Sequence, residues 1–152
     1  AEIHYRSNKP LLQGIPSLWR IPWNSQIPLR IMKEELKKYS KSSKFAEVCG
    51  FVGYKDGFIF KPVQNHNKEP QKYFSVAPLD YLSFKRNNEL VAVFHSHLNI
   101  DSKATEFDKV SAKNVCLPFL IYSITEDKFS IHVPENSETP EDKLQLLREA
   151  LK

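Results

Sequence analysis

The sequence has no apolar run near the ~20 residues that a membrane-spanning helix needs. Its first residues, AEIHYRSNKPLLQG, contain no signal-peptide core. Both absences lead us to expect a soluble protein made in the cytoplasm, with no membrane span. Cysteine is scarce: there are two, Cys49 and Cys116, and they form no C-x-x-C pair. A four-cysteine zinc site is therefore excluded. Each cysteine lies in an apolar stretch, EVCGFVG or NVCLPFL, so buried free thiols are expected rather than a disulfide. Charge is unremarkable too. The net charge is +4, with lysines dispersed along the chain. The run EELKKYSKSSK reads as a solvated helix face, and no nucleic-acid-binding signature accompanies it. No nucleic-acid partner is expected. Repeats and low-complexity tracts are also lacking.

What is present suits one globular domain. The chain has 152 residues, of which 41% are hydrophobic and 26% charged, enough to bury a core without staples. Residues 1–27 differ from the rest. They hold Pro10, Pro16, Pro22, Trp19 and Trp23, and no clear period. Proline stops regular structure, yet Leu11, Leu12, Ile15, Leu18 and Ile21 are too apolar for a disordered tail. We expect an extended arm that packs either on its own domain or on a partner.

From Pro28 the pattern is regular. A helix is expected over about 28–42, with Ile27, Ile31, Leu36 and Tyr39 on one side. VCGFVGY and GFIFKPV read as a hairpin turned at Lys55-Asp56-Gly57. NHNKEPQ reads as a loop, KYFSV as a short strand, and Ala77-Pro78 as the start of a helix running to about Arg86. LVAVFHSH is a buried strand. A helix over Thr105–Asn114 and the strand LPFLIYSI follow. KFSIHVP pairs back after a turn at Glu126-Asp127, and a last helix begins near Pro140 with Thr139 as its cap. This order implies an α/β fold, a mixed sheet sandwiched by helices.

The chemistry concentrates at His95-Ser96-His97, with Thr105 and Asp108 beyond it. Side chains two apart on a strand share a face, so His95 and His97 can reach one ion. A loop and a helix start can return Asp108 beside them. Two imidazoles and one carboxylate suit Zn²⁺, and three protein ligands leave a position for water, as catalytic sites require. Zinc lowers the pKa of such a water towards ~7. A carboxylate must then take its proton and pass it to the leaving amine. Glu47, where the first helix meets the first strand, is the best candidate. A plainer reading also exists for each residue. Paired histidines are often hydrogen-bonded structural groups. Thr105 to Asp108 is also a capping box, and one Asp108 carboxylate does not easily serve fully as both cap and ligand. Asp101 and Ser102 sit in the loop near the site, where they line a groove or serve only as loop residues. His4, His66 and His132 receive no role.

At Glu47, His95, His97, Thr105 and Asp108 the sequence resembles the JAMM/MPN metalloprotease family. Its signature is a distal Glu followed by H-x-H, seven residues, Ser, two residues and Asp. The resemblance implies a JAMM/MPN (cytidine-deaminase-like) domain over 28–152 and hydrolysis of a peptide or isopeptide bond. It makes His95, His97 and Asp108 the metal ligands and Glu47 the general base. Thr105 takes the place of the serine that assists the oxyanion, with an added methyl group. Leu98 stands where the family usually has proline.

A narrower likeness covers about 45–133. FAEVCGFVG, YFSVAPLDYLS, VAVFHSH and ATEFDKVSAKNVCLPFLIYSI are similar to the tail assembly K family of lambda-type siphophages. That family often joins its JAMM domain to a papain-like cysteine peptidase. The sequence here ends soon after the JAMM-like part, so no second domain is expected within it. The likeness implies a place in the virion tail and a peptide or cell-wall amide substrate. The apolar 1–27 arm, which is not part of that family's pattern, would suit docking on other phage tail-tip proteins as partners. The alternatives are a structural tail-tip protein that needs no turnover and a cytoplasmic JAMM isopeptidase acting on ubiquitin-like conjugates.

Overall fold

In a computed structural model, the structure describes residues 28–152. The proposed 1–27 arm, Ile27 with it, lies outside the described residues. The first element, α1 (Leu29–Lys41), starts just after Pro28, which has an extended backbone and no side-chain cap. Met32, Leu36 and Tyr39 recur at helical spacing and are buried, so Met32 joins the expected apolar side. The hairpin of β1 (Cys49–Tyr54) and β2 (Phe58–Val63) follows. Its turn is set by Asp56 and Gly57, both at positive φ (58° and 143°), as an Asp-Gly turn demands. Pro62 lies in β2, which is tolerable because β2 is an edge strand.

The remaining elements are α2 (Pro78–Asn87), β3 (Glu89–His97), α3 (Glu106–Val115), β4 (Phe119–Ser123), β5 (Lys128–His132) and α4 (Glu141–Ala150). The strands form one five-stranded sheet in the order β2-β1-β3-β4-β5. The β3–β4 pair is parallel, and the β1–β2, β1–β3 and β4–β5 pairs are antiparallel. The result is a mixed α/β domain with helices on both faces of the sheet, as the element order implies. Cys49 and Cys116 are both free. Cys49 is buried, while Cys116 is only half-buried at the left-handed end of α3.

Two expected local features are corrected. KYFSV is not a strand: residues 73–77 have no regular secondary structure. Its backbone is held instead by the side chain of Asn65, which accepts from Ser75 N and donates to Tyr73 O. Thr139 does not cap α4. Pro140 occupies the cap position, and the Thr139 hydroxyl donates to Val91 O at 2.7 Å, fastening the chain before α4 to β3.

The core lies on both sides of the sheet. Met32, Leu36, Phe60, Phe94, Tyr122 and Leu147 form one cluster, under α1 and α4. Phe51, Phe74, Phe84, Ala112, Phe119 and Ile121 form the other, under α2 and α3. Each large apolar side chain so buried contributes ~1.5–3 kcal/mol. The central strand β3 feeds both clusters. Its register against β1 shifts once, with Val52 opposite Ala92 but Gly53 opposite Leu90, so Val91 is an extra residue. Beyond this bulge the alternation is strict. Val93 joins the α2/α3 side and Phe94 the other. His95 and His97 therefore emerge on the α2/α3 side.

Candidate metal centre

His95 and His97 sit at the carboxyl end of β3, opposite Ile121 and Ser123 of β4. Both are buried. The loop after them returns the chain to α3 along a path pinned by the β4–β5 hairpin. Ser123 Oγ donates to Ile100 O, Thr125 Oγ1 donates to Leu98 O, and Ser130 Oγ donates to Ser102 O. Ser102 N donates to Glu126 Oε1. A fixed loop places Thr105 at the start of α3. There Thr105 Oγ1 accepts from Asp108 N at 3.1 Å, and Asp108 Oδ2 accepts from Thr105 N at 3.0 Å. The expected capping box is present.

The cap uses Asp108 Oδ2 and still leaves both carboxylate oxygens facing the imidazoles. Oδ2 serves the cap and lies 3.0 Å from His97 Nε2, while Oδ1 lies 3.2 Å from His95 Nε2. One ligand atom from each of His95, His97 and Asp108 falls within 4.8 Å of the others. A buried group of this composition and spread can hold a metal ion.

The environment sets the charge of each group. Burial holds His95 below its ordinary pKa, against the opposing pull of Asp108, which favours the neutral, ligating imidazole. Burial acts the same way on His97, but Asp108, the Asp101 carbonyl and their charges outweigh it and raise its pKa. Burial alone would raise Asp108. The two imidazoles and the Thr105 backbone overcome that and hold it well below the carboxylate range. His97 donates Nδ1–H to the Asp101 carbonyl at 2.6 Å, which turns Nε2 towards Asp108 Oδ2. A cation there would displace the Nε2 proton and take its lone pair.

His95 is held differently. Its Nε2 is near Asp108 Oδ1 but out of line for a hydrogen bond, and its Nδ1 has no hydrogen-bond partner among the described residues. A buried ring nitrogen without a partner costs stability. A buried Nε2 without a hydrogen bond, grouped with His97 Nε2 and Asp108, fits a metal ligand better than a structural histidine. The donor set, two borderline-soft nitrogens and one oxygen, suits zinc. The ring is gripped by aromatics. Phe74 stacks on it at 4.3 Å between centroids, and Phe119 meets it edge-on at 5.5 Å.

Glu47 precedes β1 and is buried. Burial first, and the charge of Asp108 second, push its pKa up to about 9. It thus lies within the electrostatic reach of Asp108, although the two are 61 positions apart in sequence. Its backbone is tied on both sides: Glu47 N donates to Pro70 O at 2.7 Å, and Asn65 Nδ2 donates to Glu47 O at 2.9 Å. The next residue is clamped to β3, since Ser96 Oγ accepts from Val48 N and Ser96 N donates to Val48 O. Asp101 contributes its carbonyl, and Ser102 is buried among loop hydrogen bonds.

Ser96, Asn65, Phe74 and Phe119 support the site without having been singled out from the sequence. An H-x-H pattern does point to the residue between the histidines, but only pairing with Val48 reveals what Ser96 does. Asn65 lies in a polar loop where nothing marks it from its neighbours Asn67 and Gln64. His66 also belongs to this loop, where its N–H donates to Ser75 O.

The described residues place this chain among mixed α/β domains with a helix-covered five-stranded sheet. A solved structure shares that fold: the solution structure of protein DSY2949 from Desulfitobacterium hafniense matches with a TM-score of 0.51 and 24% identity, over 64% of this chain and 75% of that one. In sequence, the chain is similar to the tail tip assembly protein K of Escherichia phage N15, 32% identical over 81 residues. That match takes in 53% of this chain and 33% of the phage protein, so it spans about a third of its relative's length. No family model matches the chain.

Proposed function

We propose that the chain is a zinc-dependent amide hydrolase of the JAMM/MPN type that acts in phage tail assembly or at the tail tip. The observation that carries this reading is the convergence of His95, His97 and Asp108 within 4.8 Å, with a buried Glu47 that feels the Asp108 charge. The similarity to a phage tail tip assembly protein supports the setting. His95, His97 and Asp108 would hold the ion. Zinc, when bound there, supplies Lewis acidity that makes water a competent nucleophile near neutral pH.

The chain's own groups do the rest. Glu47 would accept the proton of the attacking water and deliver it to the leaving amine. Without a cation the fold keeps its carboxyl protonated, and the positive charge of a bound ion is what would return it to the ionised, basic form. Thr105 spends only the acceptor side of its hydroxyl on the cap. Its O–H remains able to donate to the carbonyl oxygen as charge develops there. The substrate is a peptide or cell-wall amide, and tail proteins are the partners. Among the described residues no helix is long and apolar enough to cross a membrane.

Elemental analysis of purified protein tests the metal: about one zinc per chain is expected in the wild type and none in His97→Ala. Glu47→Gln should keep the zinc and lower amide hydrolysis by about 10²–10⁴-fold. Full hydrolysis by Glu47→Gln, or a metal-free wild type in zinc-containing medium, refutes the reading.

A further inference from the structure

The two imidazoles of the site are oriented by different means. A ligating histidine usually fixes its ring by donating its second nitrogen to a carbonyl or carboxylate. His97 does so through the Asp101 carbonyl. His95 does not, and its ring rests on Phe74 and Phe119 instead. Phe119 belongs to β4 and is fixed by the sheet. Phe74 lies in a strap without regular secondary structure, so something else must hold it.

Two backbone bonds help, Tyr73 N to Glu69 O at 3.0 Å and His66 N to Ser75 O at 2.9 Å, but one side-chain amide holds both sides of Phe74 at once. Asn65 Nδ2 donates to Tyr73 O at 2.9 Å, and Asn65 Oδ1 accepts from Ser75 N at 3.1 Å, gripping both neighbours of Phe74. The same Nδ2 donates to Glu47 O at 2.9 Å, and the same Oδ1 accepts from Asn67 N at 3.0 Å. All four bonds that an Asn side chain can make are made. Its partners are the backbone beside the base and the backbone on either side of the ring that stacks on His95.

We infer that Asn65 is a positioning residue for the metal centre, which sets Phe74 over His95 and Glu47 beside Asp108 through a single amide. This rests on the metal-site reading above and adds to it a control point outside the ligand set. Asn65 touches neither the ion nor the substrate. It acts by keeping the His95 ring where its Nε2 meets His97 Nε2 and the Asp108 carboxylate, and a site oriented this way loses affinity when the support is removed.

Zinc affinity of the full chain, measured by competition with a chromophoric chelator, tests the inference, together with the visible absorption of the cobalt-loaded protein. Asn65→Ala should weaken zinc by about 10–100-fold and alter the cobalt bands. Phe74→Leu should do the same. The double variant should lose little more than the larger single loss, because both changes release the same ring. Asn67→Ala breaks another side-chain link of the same strap, from Asn67 Nδ2 to Ser75 Oγ, and should leave zinc affinity unchanged. Folded Asn65→Ala with wild-type affinity and bands overturns the inference. So does an equal loss in Asn67→Ala, which would mean general loosening of the strap. Should Asn65→Ala fail to fold, Phe74→Leu decides: wild-type affinity in that variant overturns the inference. A wild type that takes up no zinc overturns the metal-site reading and this inference with it, whereas intact affinity in the variants overturns this inference alone.

Discussion

The two faces of the sheet treat polar groups in opposite ways. On the α1/α4 face every buried polar side chain described above is satisfied. Tyr39 donates to Cys49 O at 2.6 Å within a ring of Phe60 and Phe94, and Ser96 binds both ends of its local backbone problem at Val48. On the α2/α3 face a histidine is buried with neither ring nitrogen in a hydrogen bond, beside a carboxyl raised to about 9 and a carboxylate held ionised. The first face is built for stability. The second holds groups whose burial costs stability, a pattern more often found at binding sites than in cores.

Adjacent residues of β3 make the sharpest break in that comparison, since Phe94 points to the first face and His95 to the second. Phe94→Ala opens a cavity among Tyr39, Phe60 and Leu120 and should cost about 3–5 kcal/mol in urea unfolding. His95→Leu fills similar space and removes two unsatisfied nitrogens. Metal-free His95→Leu should cost much less than Phe94→Ala, because shedding two buried nitrogens offsets the lost pull of the imidazole on Asp108, while zinc no longer raises its Tm. A loss as large as that of Phe94→Ala would mean that the imidazole's contact with Asp108 outweighs the cost of burying its nitrogens.

The pH dependence of the metal-free protein sharpens the same contrast. The fold keeps a proton on Glu47 that the unfolded chain gives up above its ordinary pKa of 4.5. From about pH 5 to about 9 the unfolded chain therefore binds fewer protons at this group, and stability falls as pH rises, by up to ~1.4 kcal/mol per unit. His97, held above 6.5, adds to the fall as pH climbs through its folded pKa. His95, held below 6.5, works the other way, gaining stability as pH rises towards 6.5. Asp108 contributes only at the acid end, where its stabilisation is lost as pH drops below the carboxylate range. Subtracting the stability–pH curve of Glu47→Gln from that of the wild type isolates the Glu47 slope. A flat difference between pH 5 and 9 would show that Glu47 is not desolvated in solution.

Much of this arrangement was legible in the sequence for local reasons. Strand alternation puts His95 and His97 on one face, and T-E-F-D is a helix start whatever else it does. Strand and helix periods gave each element within a residue or two, because the apolar residues recur at spacings that only one backbone geometry satisfies. KYFSV failed for an equally physical reason. It alternates like a strand, but its backbone pairs with the Asn65 side chain and with scattered loop groups at Glu69 and His66 instead of a neighbouring strand, and a polar loop does not announce which amide will fold back. The division of labour between Asp108 Oδ1 and Oδ2, the Asp101 carbonyl on His97 and the orphaned nitrogens of His95 are facts of three-dimensional approach. No residue type encodes them.

The smallest effect separates the two uses of Thr105. Thr105→Ala removes the acceptor for Asp108 N at the start of α3 and should cost about 1 kcal/mol, within the usual 0.5–2 kcal/mol of a lost cap. Zinc should still bind, because Asp108 keeps the Thr105 backbone N–H on Oδ2 and both imidazoles remain. Thr105→Ser restores a hydroxyl of the same reach without the methyl group. If the side chain is only a cap, Ser recovers stability, and hydrolysis is the same in all three proteins. If its O–H also steadies the developing oxyanion, hydrolysis falls in Ala by far more than the cap energy explains and returns in Ser, since stability and turnover then draw on different lone pairs and protons of one oxygen.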